Sequence, residues 1–189
     1  MAALRRRFPA ATVVVQLDEP SLPAVRAGRL PTASGFGSVA AVPDPDLSGV
    51  LRGVLQGAGA PAGVHCCAAN APLYVIQEAG AEFVSVDLTV LDERSDDPLG
   101  ELIEAGVHVL LGVVPSLEPP TAHPPTTVRS AADPARALWR RLSFPAERLA
   151  AQVTLTPTCG LAGASPDWAR TALTRAREAA RSLAEAPEE

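Results

Sequence analysis

The chain has 189 residues and a formal net charge of -5 at neutral pH, which suits one domain with a sizeable core. Its acidic balance offers none of the basic patches that nucleic-acid-binding proteins carry, so the sequence argues against such a partner. The sequence contains no run of about 18 apolar residues, so no membrane-spanning helix is predicted. The first residues lack the apolar stretch of a secretory signal, and the three cysteines are an odd number. We therefore expect a cytoplasmic protein with reduced thiols rather than a disulfide framework.

Five short apolar runs alternate with segments of helical periodicity. The first run is nearly continuous, which is typical of a strand buried on both faces of a parallel sheet. Because no hairpin signal joins consecutive strands, the sequence predicts an α/β fold with a parallel sheet, in a single domain over residues 1–189. The predicted strands are Ala11–Asp18, Gly63–Cys67, Glu82–Leu88, Val107–Val114 and Gln152–Thr156.

Helices are predicted between these strands and after the last one. The final helix has the clearest signals, with Ser165 as N-cap, Pro166 in the first helical position and Asp167 complementing the helix dipole. Residues 20–45 and 116–127 are predicted to be loops, and long loops in compact domains often have binding or lid functions. The other predicted helices are Asp46–Gln56, Pro72–Gly80, Pro98–Ala105 and Pro134–Leu142.

Potential metal ligands stand at the ends of several predicted strands. His65 and Cys67 are two residues apart, so their side chains leave the same face of a strand, whereas Cys66 points to the other face. Asp87 ends the next strand, and Cys159 follows the last one. A β/α barrel builds its active site in this way, at the carboxyl ends of its strands. Imidazole, thiolate and carboxylate groups together match a thiolate-rich zinc centre.

Each of these residues also has a structural explanation. His65 and Cys67 can be ordinary members of a buried strand, because free cysteine is among the most buried residue types. Asp87 can cap the segment that follows it, and Cys159 can be a loop residue without a role. Asp18, which ends the first strand, can belong to a surface turn. The placement of all of them at one end of the sheet favours a functional site.

Two further histidines fit this site less well. His108 begins a predicted strand and therefore faces the opposite edge of the sheet, and His123 lies in the proline-rich segment. We expect both to be structural or solvated.

Four segments resemble the catalytic zinc barrel of the cobalamin-independent methionine synthase family. Order and approximate spacing agree over nearly the whole chain, and the likeness extends to short, single-barrel actinobacterial relatives. The resemblance implies a partial TIM (β/α) barrel of the methionine synthase and uroporphyrinogen decarboxylase-like type, with about five parallel strands. The segments are Gln16–Leu22, similar to Q-[IV]-D-E-[PA]-[AS]-L; His65–Cys67, similar to the H-x-C zinc motif; Val84–Asp87, where the family has a zinc-binding glutamate; and Thr156–Leu161, similar to N-P-D-C-G-L.

This resemblance implies a zinc-dependent methyltransferase that methylates the thiol of homocysteine to give methionine. By position, His65, Cys67, Asp87 and Cys159 would bind zinc, and Asp18 would bind the ammonium group of the substrate. The likeness covers the C-terminal part of the barrel and does not include the folate-binding half of the long enzymes. The expected methyl donor is therefore methyl-folate or a methylated corrinoid protein, and a missing barrel half is a further expected partner.

The sequence departs from the family pattern at two places. Asp87 stands where the family has glutamate, which is one methylene longer. Pro115–Leu117 stands where full-length members carry Y-D-I-H with a proposed catalytic histidine, so no general acid is assigned. One alternative is a truncated, non-catalytic homologue that binds zinc or a partner without turnover. Another is a decarboxylase-like barrel without metal, which leaves the two cysteines unexplained.

Overall fold

The computed structural model describes residues 1–120 and 128–187, with side chains from residue 131 onward in the second range. The chain divides into two compact units, Met1–Val84 and Ser85–Glu189. The strands are β1 (Val15–Asp18), β2 (Ala62–Cys66), β3 (Phe83–Asp87), β4 (His108–Val114) and β5 (Val153–Pro157). The α-helices are α1 (Ala2–Arg7), α2 (Leu22–Arg26), α3 (Asp44–Gly57), α4 (Leu73–Glu78), α5 (Asp96–Glu104), α6 (Val128–Arg141), α7 (Ala146–Gln152) and α8 (Pro166–Glu185).

The five strands form one parallel sheet, and their spatial order β1-β2-β3-β4-β5 is also their order in the sequence. Helices connect the successive strands. This is the connectivity of a β/α barrel, in which sequential parallel strands alternate with helices. The predicted fold class, a partial TIM-type barrel with about five parallel strands, is therefore confirmed. The assignment of residues 1–189 to a single domain stays a prediction.

In the first unit, β2 is the buried strand. Every residue from Ala62 to Cys66 is buried, as expected for a parallel strand covered on both faces. Helices α3 and α4 pack against each other, and α3 also contacts β2. Both helices were predicted, and each places an apolar stripe in the core. The buried side chains of α3 and α4 include Leu47, Leu51, Leu55, Leu73, Val75 and Ile76.

Strand β1 differs from its prediction. The apolar run Ala11–Asp18 was predicted to be a strand buried on both faces, but β1 begins only at Val15 and alternates between half-buried and exposed positions. Val14, just before it, is 54% exposed. The physical reason is that β1 is the first strand of the sheet and pairs on one side only, with β2. An apolar composition therefore does not by itself show that a strand is buried on both faces.

The segment 20–45 is more ordered than the predicted loop. It contains the short helix α2 and an antiparallel bridge between Pro31 and Ser38. Its two ends are tied together by Arg26, whose Nε donates to an Asp44 carboxylate oxygen at 2.6 Å. The hydroxyl of Tyr74 contacts both of these side chains. A five-residue helix is too short to give a periodic signal in the sequence, which explains why α2 was not predicted.

The second unit contains the best-predicted helix, α8. Its N-cap is Ser165, whose hydroxyl oxygen accepts a hydrogen bond from the backbone N–H of Trp168 at 3.1 Å. Pro166 and Asp167 occupy the first turn as predicted. The helix contacts α6, β5 and β4. Its buried stripe consists of Trp168, Ala172, Ala176, Ala179 and Leu183.

Two other helices of this unit depart from the sequence analysis. Helix α6 begins at Val128, whereas the predicted helix began at Pro134; this proline lies inside the helix. Helix α7 was not predicted. It has only seven residues, between Pro145 and the next strand, and so short a segment gives little periodic signal. No helix in the described ranges is long and apolar enough to cross a membrane.

The close approach of β2 and Phe83 requires a glycine. A Cβ atom placed on Gly63 would lie 2.1 Å from the backbone oxygen of Phe83 and 2.5 Å from its ring. Such distances are far below van der Waals contact, and a backbone oxygen cannot rotate away. In contrast, Gly53 in helix α3 has open space at the same position.

We therefore expect Gly63→Ala to lower the free energy of unfolding by about 1–3 kcal/mol or more, because the strands must move apart to admit the methyl group. Gly53→Ala is the matched control, and it should raise the free energy of unfolding by about 0.5–1 kcal/mol, because alanine favours the helix. Urea denaturation followed by circular dichroism measures both. Equal stability of Gly63→Ala and the wild type would contradict the tight contact.

Candidate metal centre

His65 is held in the buried part of β2. Its side chain is 6% exposed, and its carbonyl oxygen accepts a hydrogen bond from the backbone N–H of Glu19 at 2.8 Å. Parallel pairing places His65 directly opposite Asp18 on β1. Because residues opposite each other in register share a face of the sheet, these two positions lie side by side at the carboxyl ends of their strands.

The two adjacent cysteines have different environments. Cys66 is 1% exposed, and burial raises the pKa of its thiol, with the negative charge of Glu19 acting in the same direction against a lowering by the Ala68 backbone. Cys67 comes just after the strand and is only partly buried. Since the thiolate is the metal-binding form of cysteine, the raised pKa makes Cys66 a poor ligand.

Cys159 follows β5 and is presented by a well-fixed neighbour. The backbone N–H of Thr158 donates to the carbonyl oxygen of Val114 at 2.8 Å. The Thr158 hydroxyl accepts a hydrogen bond from the backbone N–H of Ser116 at 3.1 Å. Thr158 is buried, whereas Cys159 is exposed. The thiol therefore stands on the surface next to a residue anchored to the end of β4.

Gly112 allows this arrangement. A Cβ atom on Gly112 would lie 2.6 Å from the Cα atom of Thr158 and 3.1 Å from the carbonyl oxygen of Val86. The register between β4 and β5 also shifts between Gly112 and Val114. Neither Gly112 nor Thr158 was predicted to have a role at this site. A glycine inside an otherwise apolar strand was the one available signal, because it often marks a bulge or a close backbone approach.

The structure brings three of the predicted ligands together. The ligand atoms of His65, Cys67 and Cys159 all lie within 4.8 Å of one another. Zinc is bound in proteins by imidazole nitrogen and thiolate sulfur, so the chemistry of this donor set fits that metal. The three residues can hold a metal ion.

Asp87, the fourth predicted ligand, does not belong to that group of three. It is the last residue of β3, and one of its carboxylate oxygens accepts hydrogen bonds from the backbone N–H of Thr89 at 2.8 Å and from the Thr89 hydroxyl at 2.6 Å. It thereby caps the 3-10 turn Leu88–Val90. This is the capping role that the sequence left open for Asp87. A carboxylate has a second oxygen, so capping and metal binding are compatible.

Asp18, the predicted substrate-binding residue, is exposed at the end of β1. One of its carboxylate oxygens accepts a hydrogen bond from the side-chain amide of Gln16 at 2.8 Å. Its place opposite His65 puts it next to β2, which carries His65 and leads directly into Cys67. An exposed carboxylate at this edge is available to a cationic group.

The other two histidines were expected to lie outside the site. The ring Nε2 of His108 is 2.8 Å from the hydroxyl of Thr154, and burial lowers its pKa. His108 begins β4, at the edge opposite to the carboxyl ends of the strands. This agrees with a structural role. His123 lies outside the described residues.

Comparison with protein families gives a match over most of the chain. The family model for the cobalamin-independent synthase catalytic domain matches residues 3–182 of the chain. A search of curated proteins gave no match. The matched range includes all three clustered donors together with Asp18 and Asp87, and it agrees with the resemblance found in the sequence. The chain therefore belongs to the family of the cobalamin-independent synthase catalytic domain.

Proposed function

We propose that the chain is a zinc-dependent methyltransferase that methylates the thiol of homocysteine to give methionine. The observation that carries this proposal is the grouping of His65, Cys67 and Cys159 within 4.8 Å in a member of this family. A donor set with two thiolates suits a reaction at sulfur, since zinc sites of this type bind soft ligands.

In this proposal, zinc is held by His65, Cys67, Cys159 and Asp87. The first three are supported by their proximity, and Asp87 is supported by its position at the end of β3 and its second carboxylate oxygen. When bound, the metal supplies a positive charge that keeps a substrate thiol deprotonated near neutral pH. A thiolate is the form of sulfur that attacks a methyl group.

Asp18 is proposed to orient the substrate. Its carboxylate is exposed and lies in register with His65, so an ammonium group paired with it would be next to the proposed zinc ligands. Such a charge pair favours an amino-acid thiol over a simple thiol, because only the amino-acid thiol carries the positive charge. No residue is proposed as general acid.

The methyl donor is left to experiment. The family is named as cobalamin-independent, and no comparison supports a corrinoid protein as a partner. Methyl-folate and methylcobalamin are therefore assayed in parallel, with methionine as the measured product.

The proposal predicts that the purified chain forms methionine from homocysteine with at least one of these donors. Removal of metal with a chelator should abolish product formation, and added zinc should restore it, because the thiol loses its activating charge without the metal. Mass spectrometry of the product measures this. A chain that binds zinc but forms no methionine with either donor would support the non-catalytic alternative.

The proposed ligands predict a sharp difference between adjacent cysteines. The reduced wild type should hold about one zinc per chain, and Cys67→Ser or Cys159→Ser should lose most of it, because serine is a poor zinc ligand. Cys66→Ser is the matched control, and its zinc content should stay unchanged, since that thiol is buried with a raised pKa. Elemental analysis of the four proteins decides the assignment. An equal loss in Cys66→Ser would show that the wrong cysteine was chosen.

The role of Asp18 predicts a substrate effect without a metal effect. Asp18→Asn should weaken homocysteine binding about two- to fivefold, which corresponds to the roughly 0.5–1 kcal/mol that an exposed pair of opposite charges contributes. Zinc content should be unchanged. Asp46→Asn, an exposed carboxylate in the first turn of α3, is the matched control. Calorimetric titration with homocysteine and with a thiol that lacks an amino group measures the difference. Equal homocysteine affinities would remove Asp18 from the site.

A further inference from the structure

We propose that Thr158 is a positioning residue, which fixes the place of the Cys159 thiol in the metal centre. The inference rests on the proposed function, because it takes Cys159 as a metal ligand. It concerns a residue that the family resemblance does not explain, since the family segment has aspartate before its cysteine where this chain has threonine.

The first argument is the way in which Thr158 is held. It is 8% exposed, and it makes two hydrogen bonds to the end of the neighbouring strand β4. Its backbone N–H donates to Val114 at 2.8 Å, and its hydroxyl accepts from the backbone N–H of Ser116 at 3.1 Å. Cys159 is the next residue in the chain. Fixing Thr158 on both its backbone and its side chain therefore fixes where the chain turns outward to Cys159.

The second argument is that the surroundings of Thr158 are themselves rigid. The indole N–H of Trp168, which is buried in α8, donates to the carbonyl oxygen of Pro115 at 3.2 Å. This bond ties the helix to the same short segment that holds Thr158. On the other side, Gly112 lets the β4 backbone come so close to Thr158 that no side chain fits between them.

The third argument is energetic. Cys159 is exposed and lies two residues after the end of β5, so the anchored residue before it sets where its backbone stands. Residues behind a metal ligand orient it, and their removal typically weakens metal binding by about 10–100-fold. Threonine suits this role, because from a buried position its hydroxyl accepts the Ser116 hydrogen bond.

The test compares Thr158→Val, which keeps the shape but removes the hydroxyl, with Thr158→Ser, which keeps the hydroxyl. Zinc affinity is measured by chelator competition, and cobalt(II) is used as a spectroscopic probe of thiolate ligation. We expect Thr158→Val to bind zinc about tenfold more weakly, and Thr158→Ser to recover most of the affinity. The thiolate-to-cobalt charge-transfer absorption per bound cobalt should fall in Thr158→Val only.

A control variant separates positioning from general loss of stability. Ser48 is a buried residue of α3 whose hydroxyl donates to the carbonyl oxygen of Pro45 at 3.1 Å. Ser48→Ala should reduce the free energy of unfolding of the metal-free protein but leave zinc affinity and the cobalt spectrum unchanged. A similar fall in zinc affinity for Ser48→Ala and Thr158→Val would overturn the positioning role.

A double-mutant comparison adds an independent readout. In a Cys159→Ser background, Thr158→Val should no longer change zinc affinity, because the thiol that it positions is absent. The same tenfold loss in both backgrounds would overturn the inference. A wild type that binds zinc while Thr158→Val binds it equally well would refute the positioning role and leave the proposed function intact. A wild type that binds no zinc would remove both.

Discussion

Parallel pairing of the strands is the constraint on which the candidate site depends. In a parallel sheet all carboxyl ends emerge at one edge, so residues far apart in the chain meet there without long loops. His65 and Asp18 are opposite each other at the end of the β1–β2 pair, and the β4–β5 pair ends with Val114 opposite Pro157, two residues before Cys159. The backbone thus places these positions at the carboxyl ends of their strands.

Much of this arrangement could be predicted from the sequence, because it follows from local rules. Two-residue alternation along a strand separates Cys66 from His65 and Cys67. Apolar runs that end in a polar residue mark the carboxyl ends of β2 and β3. Capping residues define the start of α8 so clearly that Ser165 was identified as its N-cap. Each of these signals lies within a few consecutive residues.

The parts that could not be predicted depend on contacts between distant residues. The exposure of β1 reflects how many strands flank it, which its own apolar composition does not reveal. The capping of the following turn by Asp87 was one of two interpretations that the sequence could not separate. The role proposed for Thr158 depends on its hydrogen bond with Ser116, which lies after β4 and some forty residues earlier in the chain. The need for a glycine at position 112 likewise becomes visible only when the chain after β5 lies beside it.

The contrast between Cys66 and Cys159 has a further consequence for how the protein reacts with oxidants. Peroxide and other electrophiles react with thiolates, and they react only where the sulfur can be reached. Cys66 is buried with a raised pKa, so it is shielded from oxidation by both accessibility and protonation. Cys159 is exposed and carries none of that shielding by burial. The pleat of one strand and the end of another thus separate two cysteines of identical chemistry into a buried thiol and an accessible one, so oxidants would reach Cys159 before Cys66.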